Sequence, residues 1–294
     1  DCKESYQEVI DSGHPMVVVW ITKAPIGPLL FAKLPSSPRS HCLYCYRIHS
    51  IYRQAHSMPD TPTCFYWSDD TLRSRSVSSV VLSGTVDIPD LPARLVADWE
   101  REVQQQLGLE PGDVEQLPLA RARMRWPDYR RCVQAVADWT HTVGLPDVLV
   151  NSDIALMACR GARYHHDSSL YGYAAFCNLF LLEDRGLDLH FPFTEQRIAL
   201  RRGTAVVFDT CQPHAVIPRN ASCFDAADFP CALDCTQTFL TWELPIEHAS
   251  VAQALQIRFD TDPSTTQTVA DAQVRLKGAQ ASVCPRSGRW IDQA

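Results

Sequence analysis

The 294-residue sequence has no excess of basic residues and no long basic run. Its formal net charge is −7, and Lys and Arg occur together only in short groups such as Arg130-Arg131 and Arg201-Arg202. A protein that binds nucleic acid needs positive charge to hold the phosphate backbone. This deficit disfavours a nucleic-acid partner and fits a small-molecule substrate better.

Long apolar segments are also missing. The apolar run at residues 16–21 is far shorter than the about 20 residues that a membrane-spanning helix needs. No repeat or low-complexity segment is present. With 46% hydrophobic residues, the chain is long enough to bury a sizeable core. We expect a globular protein that does not associate with membranes, and the sequence does not indicate its oligomeric state.

The cysteine pattern of a small disulfide-stabilised secreted protein is absent. Twelve cysteines are scattered along the chain, and Cys132, Cys159 and Cys177 lie in apolar contexts. Such positions are typical of reduced, buried thiols. The cysteines therefore predict a cytoplasmic protein.

Two cysteine groups also have the ligand types of a structural zinc site. The first group is His41, Cys42, Cys45 and His49, and the second is Cys223, Cys231 and Cys235. Their spacing is irregular for a tetrahedral zinc site, and a second ligand pair is missing. Unliganded thiols, incidental disulfides and a structural zinc ion all remain open.

The arrangement of apolar residues predicts mainly β structure with flanking helices, an α+β class. Helical spacing indicates helices at 92–107 and 128–144, the second with Asp128 as its N-cap. Short strand-like segments follow at 154–159, 163–167, 173–182, 198–200, 204–208, 215–217, 238–242 and 253–259. We expect residues 1–145 to form an α/β region that shapes a pocket on a β core at 146–294, the two parts forming one integrated domain.

A metal site is predicted from the segment His165-His166-Asp167. In a strand, residues two apart share a face, so His165 and Asp167 would converge while His166 points away. A third ligand is available in His214, at a turn just before another strand. Two His and one carboxylate form the facial triad of non-haem iron(II) oxygenases, which leaves adjacent metal positions open.

In order, type and spacing, residues 150–245 resemble the 2-oxoglutarate- and Fe(II)-dependent oxygenases. His165 and Asp167 match the family's H-x-D motif, and Gly203 to Phe208 followed by Pro213-His214 matches its distal histidine region. The resemblance implies a double-stranded β-helix (jelly roll) core. It also implies iron(II) as cofactor, 2-oxoglutarate as cosubstrate and O2 as a reactant. The retained Asp167 argues against the halogenase branch, and hydroxylation or a related oxidation is implied.

The sequence departs from this family where a basic residue usually anchors 2-oxoglutarate. That position falls on Thr236 here. Arg219 and Arg163 are the candidate replacements, and each is equally consistent with a solvated or structural ion pair. Tyr173 and Asn178 lie where the family often places polar contacts to the cosubstrate.

Two further histidines lie near the predicted site. His166 is expected in a supporting or surface position, and His190 is expected to be structural or to reach the substrate. The leading hypothesis is a 2-oxoglutarate-dependent hydroxylase of a small molecule. A non-haem iron oxygenase that does not use 2-oxoglutarate and a metal-binding jelly roll without turnover are the alternatives.

Overall fold

The computed structural model of the chain describes residues 61–104, 108–230 and 233–292. All described residues lie in one compact unit of the chain. None of the described helices is long and apolar enough to cross a membrane.

The described residues form strands and a smaller number of short helices. The strands are β1 (Thr63–Ser68), β2 (Thr71–Ser76), β3 (Val81–Thr85), β4 (Val114–Leu117), β5 (Ile154–Cys159), β6 (Ala162–His165), β7 (Ala174–Phe180), β8 (Leu187–Phe191), β9 (Gln196–Ala199), β10 (Thr204–Asp209), β11 (His214–Pro218), β12 (Gln237–Pro245), β13 (Gln273–Leu276), β14 (Ala279–Val283) and β15 (Trp290–Asp292). The helices are α1 (Ala93–Glu102), α2 (Leu119–Arg123), α3 (Tyr129–Thr142), α4 (Ser168–Tyr171), α5 (Ala249–Ala254) and α6 (Pro263–Thr266). The predicted mainly β content with flanking helices is therefore confirmed.

The strands form three antiparallel sheets. A large sheet has the order β3-β10-β7-β12-β5-β4, a small sheet has the order β6-β11-β8-β9, and a third sheet has the order β15-β14-β13-β1-β2. From β5 to β12 the chain alternates between the large and the small sheet, with one hairpin, β8-β9, inside the small sheet. The part of the chain before residue 145 adds β3 and β4 to the edges of the large sheet.

Each face of the large sheet packs against a different layer. Because side chains alternate along a strand, Val207 of β10 faces one apolar cluster and Phe208 faces the other. The first cluster includes Trp99 of α1 and Val136 of α3, so it joins the sheet to the helices. The second cluster includes Phe191 of β8, so it joins the large sheet to the small one.

The helices α1 and α3 follow their predicted apolar spacing. In α1, Leu95 and Trp99 are buried one turn apart, and the α-helix spans Ala93–Glu102; residues 105–107 of the predicted helix lie outside the described residues. In α3, Asp128 occupies the N-cap position, and Cys132 and Val136 are buried one turn apart. This four-residue repeat places the apolar side chains on one face, which packs on the large sheet.

The predicted strand at 253–259 is wrong. The chain forms α5 there, ends it at Ala254, and makes only an isolated bridge between Phe259 and Arg75. Val251 and Leu255 are buried four residues apart, a helical repeat. Alanine also has the highest helix propensity, and three alanines, Ala249, Ala252 and Ala254, lie within this helix.

We predict that Gly203→Ala destabilises the protein more than Gly278→Ala. Both glycines have a positive φ, 82° and 81°, which costs an alanine about 1–2 kcal/mol. A methyl group at Gly203 would also clash with the backbone carbonyl oxygen of Val86, whereas nothing lies within 4 Å of the corresponding position at Gly278. Chemical denaturation should show roughly a further 1–3 kcal/mol lost at Gly203. Equal losses of unfolding free energy at the two positions would contradict a clash between the side chain at 203 and the backbone of Val86.

Candidate metal centre

Three side chains converge where the small sheet meets the end of β10. His165, the last residue of β6, pairs with His214, the first residue of β11, and their ring centroids lie 4.4 Å apart. The Asp167 carboxylate lies between the rings, with its oxygens 3.6 Å from Nε2 of His165 and 3.6 Å from Nε2 of His214. One ligand atom from each residue lies within 4.8 Å of the others, and no other such group of three occurs in the described parts of the chain.

The route by which Asp167 reaches this cluster differs from the prediction. The predicted strand through residue 167 is wrong, because β6 ends at His165 and Asp167 occupies the N-cap position of α4. The backbone N–H of Asp167 donates to the carbonyl of Thr210, at 2.8 Å. This bond ties the turn that carries Asp167 to the loop that leads from β10 to His214.

The hydrogen bonds of the two imidazoles fix their tautomers. Nδ1 of His165 lies 2.6 Å from the carbonyl of Arg163, and Nδ1 of His214 lies 2.9 Å from the carbonyl of Gln212. A carbonyl can only accept, so Nδ1 carries the proton in each ring and Nε2 keeps its lone pair. Both lone pairs are therefore available on the side of the Asp167 carboxylate, as metal-binding histidines require.

Burial shifts the pKa values of His214 and Asp167 in opposite directions, because it disfavours the charged form of each. Burial and the neighbouring His165 hold the pKa of His214 well below its usual value. Burial raises the pKa of Asp167, and the adjacent His165 and His166 oppose this shift. Two neutral imidazoles and one carboxylate without a strong counter-charge form the donor set that non-haem iron(II) binds in enzymes. The residues present therefore fit an iron(II) ion.

Aromatic rings from both sheets lie near the cluster. The Phe208 ring lies 4.8 Å from the His214 ring, and Phe191 lies 6.3 Å from it. On the next strand, the Phe176 ring lies 6.1 Å from Phe208. Phe208 and Phe191 therefore place an apolar wall beside the His214 ring.

The two candidate arginines for a cosubstrate carboxylate both have acidic partners. Arg163 is exposed and forms an ion pair with Asp113. Arg219 follows the far end of β11, where it pairs with Asp184 at 2.9 Å and with Asp188 at 3.0 Å. The structure does not bring either guanidinium to the metal cluster, and their role in binding a cosubstrate stays a prediction.

Tyr173 and Asn178 occupy two different environments. Tyr173 precedes β7 and its hydroxyl donates to Oε2 of Glu243 at 2.9 Å. Asn178 lies within β7 and is buried, and its Oδ1 has no hydrogen-bond partner. The hydroxyl oxygen of Thr241, directly opposite Asn178 on β12, is also buried without a partner.

His166 and His190 both point away from the cluster. Nδ1 of His166 lies 2.9 Å from the hydroxyl of Ser168, and its ring contacts Trp290. His190 bonds the hydroxyl of Tyr164, and its strand position pairs with Ala215 rather than with His214. Burial lowers the pKa of each of these imidazoles, so both favour the neutral form.

A buried ion pair supports the loop at residues 209–214 that leads to the ligand His214, here called the metal loop. This pair was not predicted from the sequence. Arg75 has no exposed side-chain surface and forms two bonds to Asp209, at 2.7 and 2.8 Å. Asp209 ends β10 and also accepts from the backbone N–H of Ser78 and of Cys211. The pair is separated by 134 positions, so no local sequence signal reveals it.

The candidate zinc groups lie partly or wholly outside the described residues. This applies to His41, Cys42, Cys45, His49 and Cys231. Cys223 and Cys235 are free thiols in the structure. A structural zinc ion is not supported by any group of potential ligands in the described ranges.

Comparisons with known proteins give only weak similarities. No family model matches the chain, and no curated protein matches it. Among solved structures, a truncated viral collagen prolyl hydroxylase from Paramecium bursaria Chlorella virus-1 is similar with a TM-score of 0.34 and 9% identity, over 56% of this chain and 89% of that one. A Pseudomonas putida prolyl-4-hydroxylase has a TM-score of 0.33 and 17% identity, over 56% and 92% of the two chains.

A structure from hazelnut is similar over a smaller part of the chain. Vicilin from hazelnut, Corylus avellana, has a TM-score of 0.20 and 17% identity over 36% of this chain and 25% of that one. All these TM-scores are too low to assign a function.

Proposed function

We propose that the protein is an Fe(II)- and 2-oxoglutarate-dependent oxygenase that oxidises an unactivated C–H bond of a small molecule. The observation that carries this proposal is the cluster of His165, Asp167 and His214, with both Nε2 lone pairs free beside one carboxylate. When bound there, iron(II) activates O2, and the decarboxylation of 2-oxoglutarate to succinate and CO2 accompanies oxidation of the substrate.

The strand order supports a double-stranded β-helix as the core. Strands β5, β7, β10 and β12 lie in the large sheet, and β6, β8, β9 and β11 lie in the small one. The two sheets share one apolar cluster, so they pack face to face. In this arrangement the ligands come from β6, from the turn after it and from β11, at one end of the space between the sheets.

The chain's own residues have distinct tasks in this proposal. His165, Asp167 and His214 hold the metal, and the carbonyls of Arg163 and Gln212 orient the two imidazoles. The unpartnered oxygens of Asn178 and Thr241 lie on the face of the large sheet that points toward the small sheet. A buried polar atom without a partner is costly, so we assign the Thr241 hydroxyl and the amide N–H groups of Asn178, which can donate to carboxylate oxygens, to polar contacts with the cosubstrate.

A second candidate, an iron oxygenase that does not use 2-oxoglutarate, is favoured by the ion pairs of the two arginines. Both Arg163 and Arg219 are already bound to carboxylates, and Thr236 stands where the family has a basic residue. In that case the substrate itself would bind the metal and supply the electrons.

We further propose that residues 1–145 shape the wall of the substrate pocket and that the protein acts in the cytoplasm. Strands β3 and β4, both from this region, extend the large sheet. The net charge of −7 supports a partner that is not nucleic acid.

Oxygen consumption distinguishes the two candidates. We expect that iron(II)-loaded protein consumes O2 slowly with 2-oxoglutarate alone, releases an equal amount of succinate, and is accelerated by its substrate. Uptake of O2 with a substrate in the absence of any 2-oxo acid would favour the second candidate. Iron binding without O2 uptake in either condition, over a broad substrate panel, would contradict both.

A further inference from the structure

An acidic side chain without a cationic partner lies on the wall of the proposed active site. Glu243 is on the same face of β12 as Phe239, which packs in the cluster between the two sheets. Its Oε2 accepts a hydrogen bond from Tyr173, and among the described residues no Lys, Arg or His forms an ion pair with it. A half-buried carboxylate of this kind is available to a positively charged ligand.

The strand register fixes where Glu243 lies relative to the metal centre. Glu243 is directly opposite Phe176 on β7, and Phe176 is directly opposite Phe208 on β10. Adjacent strands are about 4.8 Å apart, so Glu243 lies about 10 Å from Phe208 along the sheet. Phe208 in turn contacts the metal-binding ring of His214. The carboxylate is therefore within the length of a small substrate from the metal centre.

Aromatic rings complete the surroundings of Glu243. The Tyr171 ring lies 5.0 Å from Phe176 and 6.5 Å from the ring of Tyr173. Aromatic faces attract ammonium groups, and the attraction adds to that of a neighbouring carboxylate. Burial, followed by the hydrogen bond to Glu243 and the charge of Glu243, raises the pKa of Tyr173 to about 12, so its hydroxyl stays protonated and donates to the Glu243 carboxylate.

The same wall continues inward with hydrogen-bond acceptors. Thr241, two residues before Glu243 on the same face, and Asn178 opposite it each have a buried oxygen without a partner. On the outer side, Tyr173 lines a cleft of about 250 Å³ together with Tyr66, Trp67 and Glu247. An acceptor-rich wall and an aromatic cleft thus flank Glu243 on its two sides.

We propose that the substrate is a small organic cation whose ammonium group binds between the Glu243 carboxylate and the rings of Tyr171, Tyr173 and Phe176. This inference rests on the proposed function and names the class of substrate for that same site. The bound ammonium group would hold the rest of the molecule toward the ligands His165, Asp167 and His214. The carbon to be oxidised would then lie several bonds from the nitrogen.

Binding to metal-free protein tests this inference independently of any oxygenase activity. The probes are n-hexylammonium and n-hexanol, which share a chain length and differ in charge, and binding is followed by ligand-observed NMR. We expect hexylammonium to bind more tightly than hexanol. Glu243→Gln should weaken hexylammonium by about tenfold and leave hexanol unchanged. Equal binding of the two probes, or no effect of Glu243→Gln, would overturn the inference.

Two further variants and one further probe sharpen the test. Tyr173→Phe should weaken the binding of hexylammonium less than Glu243→Gln does. The tyrosine substitution removes only the hydrogen bond that orients the Glu243 carboxylate and leaves the charge in place. Glu183 is an exposed acid that pairs with Arg202. Glu183→Gln should leave the binding of hexylammonium unchanged, and it controls for the change in net charge. A capped Gly-Lys-Gly peptide that binds more tightly than hexylammonium would overturn the assignment to a free small molecule. Because no iron is present, a failure of the proposed oxygenase reaction would not affect these results.

Discussion

Replacing His214 with alanine should lower the affinity for iron(II) by more than roughly 100-fold. Even residues that only orient a metal ligand typically contribute about 10–100-fold to affinity, and His214 supplies a ligand atom itself. Asp167→Asn should cause a similar loss, because the amide keeps the size of the side chain but removes its charge. Equilibrium titration of metal-free protein with iron(II) under anaerobic conditions measures both effects.

A matched control separates loss of the ligand from loss of the fold. His141 is an exposed histidine in α3, and it does not belong to the cluster. His141→Ala should therefore bind iron(II) like the unmodified protein. If His214→Ala retains both its thermal stability and its iron affinity, the assignment of the metal centre is wrong.

Arg75→Met should destabilise the protein by about 3–5 kcal/mol, the usual cost of removing one partner from a buried ion pair. The substitution leaves the fully buried Asp209 carboxylate without its two bonds from the guanidinium. Arg75 also donates to the carbonyl of Gly172 at 2.9 Å, just before β7, and that bond would be lost as well. Denaturant unfolding with circular dichroism measures the loss.

The exposed ion pair of Arg131 and Asp128 provides the comparison. Arg131 is 73% exposed, so Arg131→Met should change the free energy of unfolding by less than about 1 kcal/mol. Combining Arg75→Met with Asp209→Asn should cost less than the sum of the two single losses, because the second change removes the charge that the first leaves unpaired. Strictly additive losses would contradict a direct ion pair.

Arg75→Met should also weaken iron binding, because the pair anchors the metal loop. Asp209 is followed by Thr210, whose carbonyl receives the backbone N–H of Asp167, and four positions later the chain reaches His214. The loss should be smaller than for His214→Ala, since every ligand atom remains. The same anaerobic titration measures the iron(II) affinities of Arg75→Met and His214→Ala.

The sequence predicted those features whose signals are local. The motif at His165 and Asp167 lies within three positions, and the segment around His214 contains both the turn and the start of a strand. Helices α1 and α3 were also predicted, because apolar residues recur at helical spacing in each segment, and each helix buries two of them one turn apart. The structure adds that Asp167 reaches the cluster from a helix N-cap and not from a strand.

Features that depend on distant parts of the chain were missed. Arg75 lies in a largely polar strand, β2, whose sequence resembles an exposed edge, and its burial becomes evident only from the pairing with β1 and the ion pair with Asp209 of β10. Glu243 carries no motif, and its position beside Phe176 follows from the register of β12 with β7. The strand predicted at 253–259 was wrong because the apolar residues there were interpreted without the preceding residues. Val251 and Leu255 together show helical spacing.

The most direct test of the metal-centre and cosubstrate assignments is anaerobic addition of iron(II), followed by 2-oxoglutarate, to metal-free protein with visible absorption spectroscopy. The account predicts a weak charge-transfer band of a chelated 2-oxo acid, which appears only when both are present and is lost in Asp167→Asn. Iron binding without this band would contradict the use of 2-oxoglutarate and favour the second candidate. Absence of iron binding would contradict the metal centre itself.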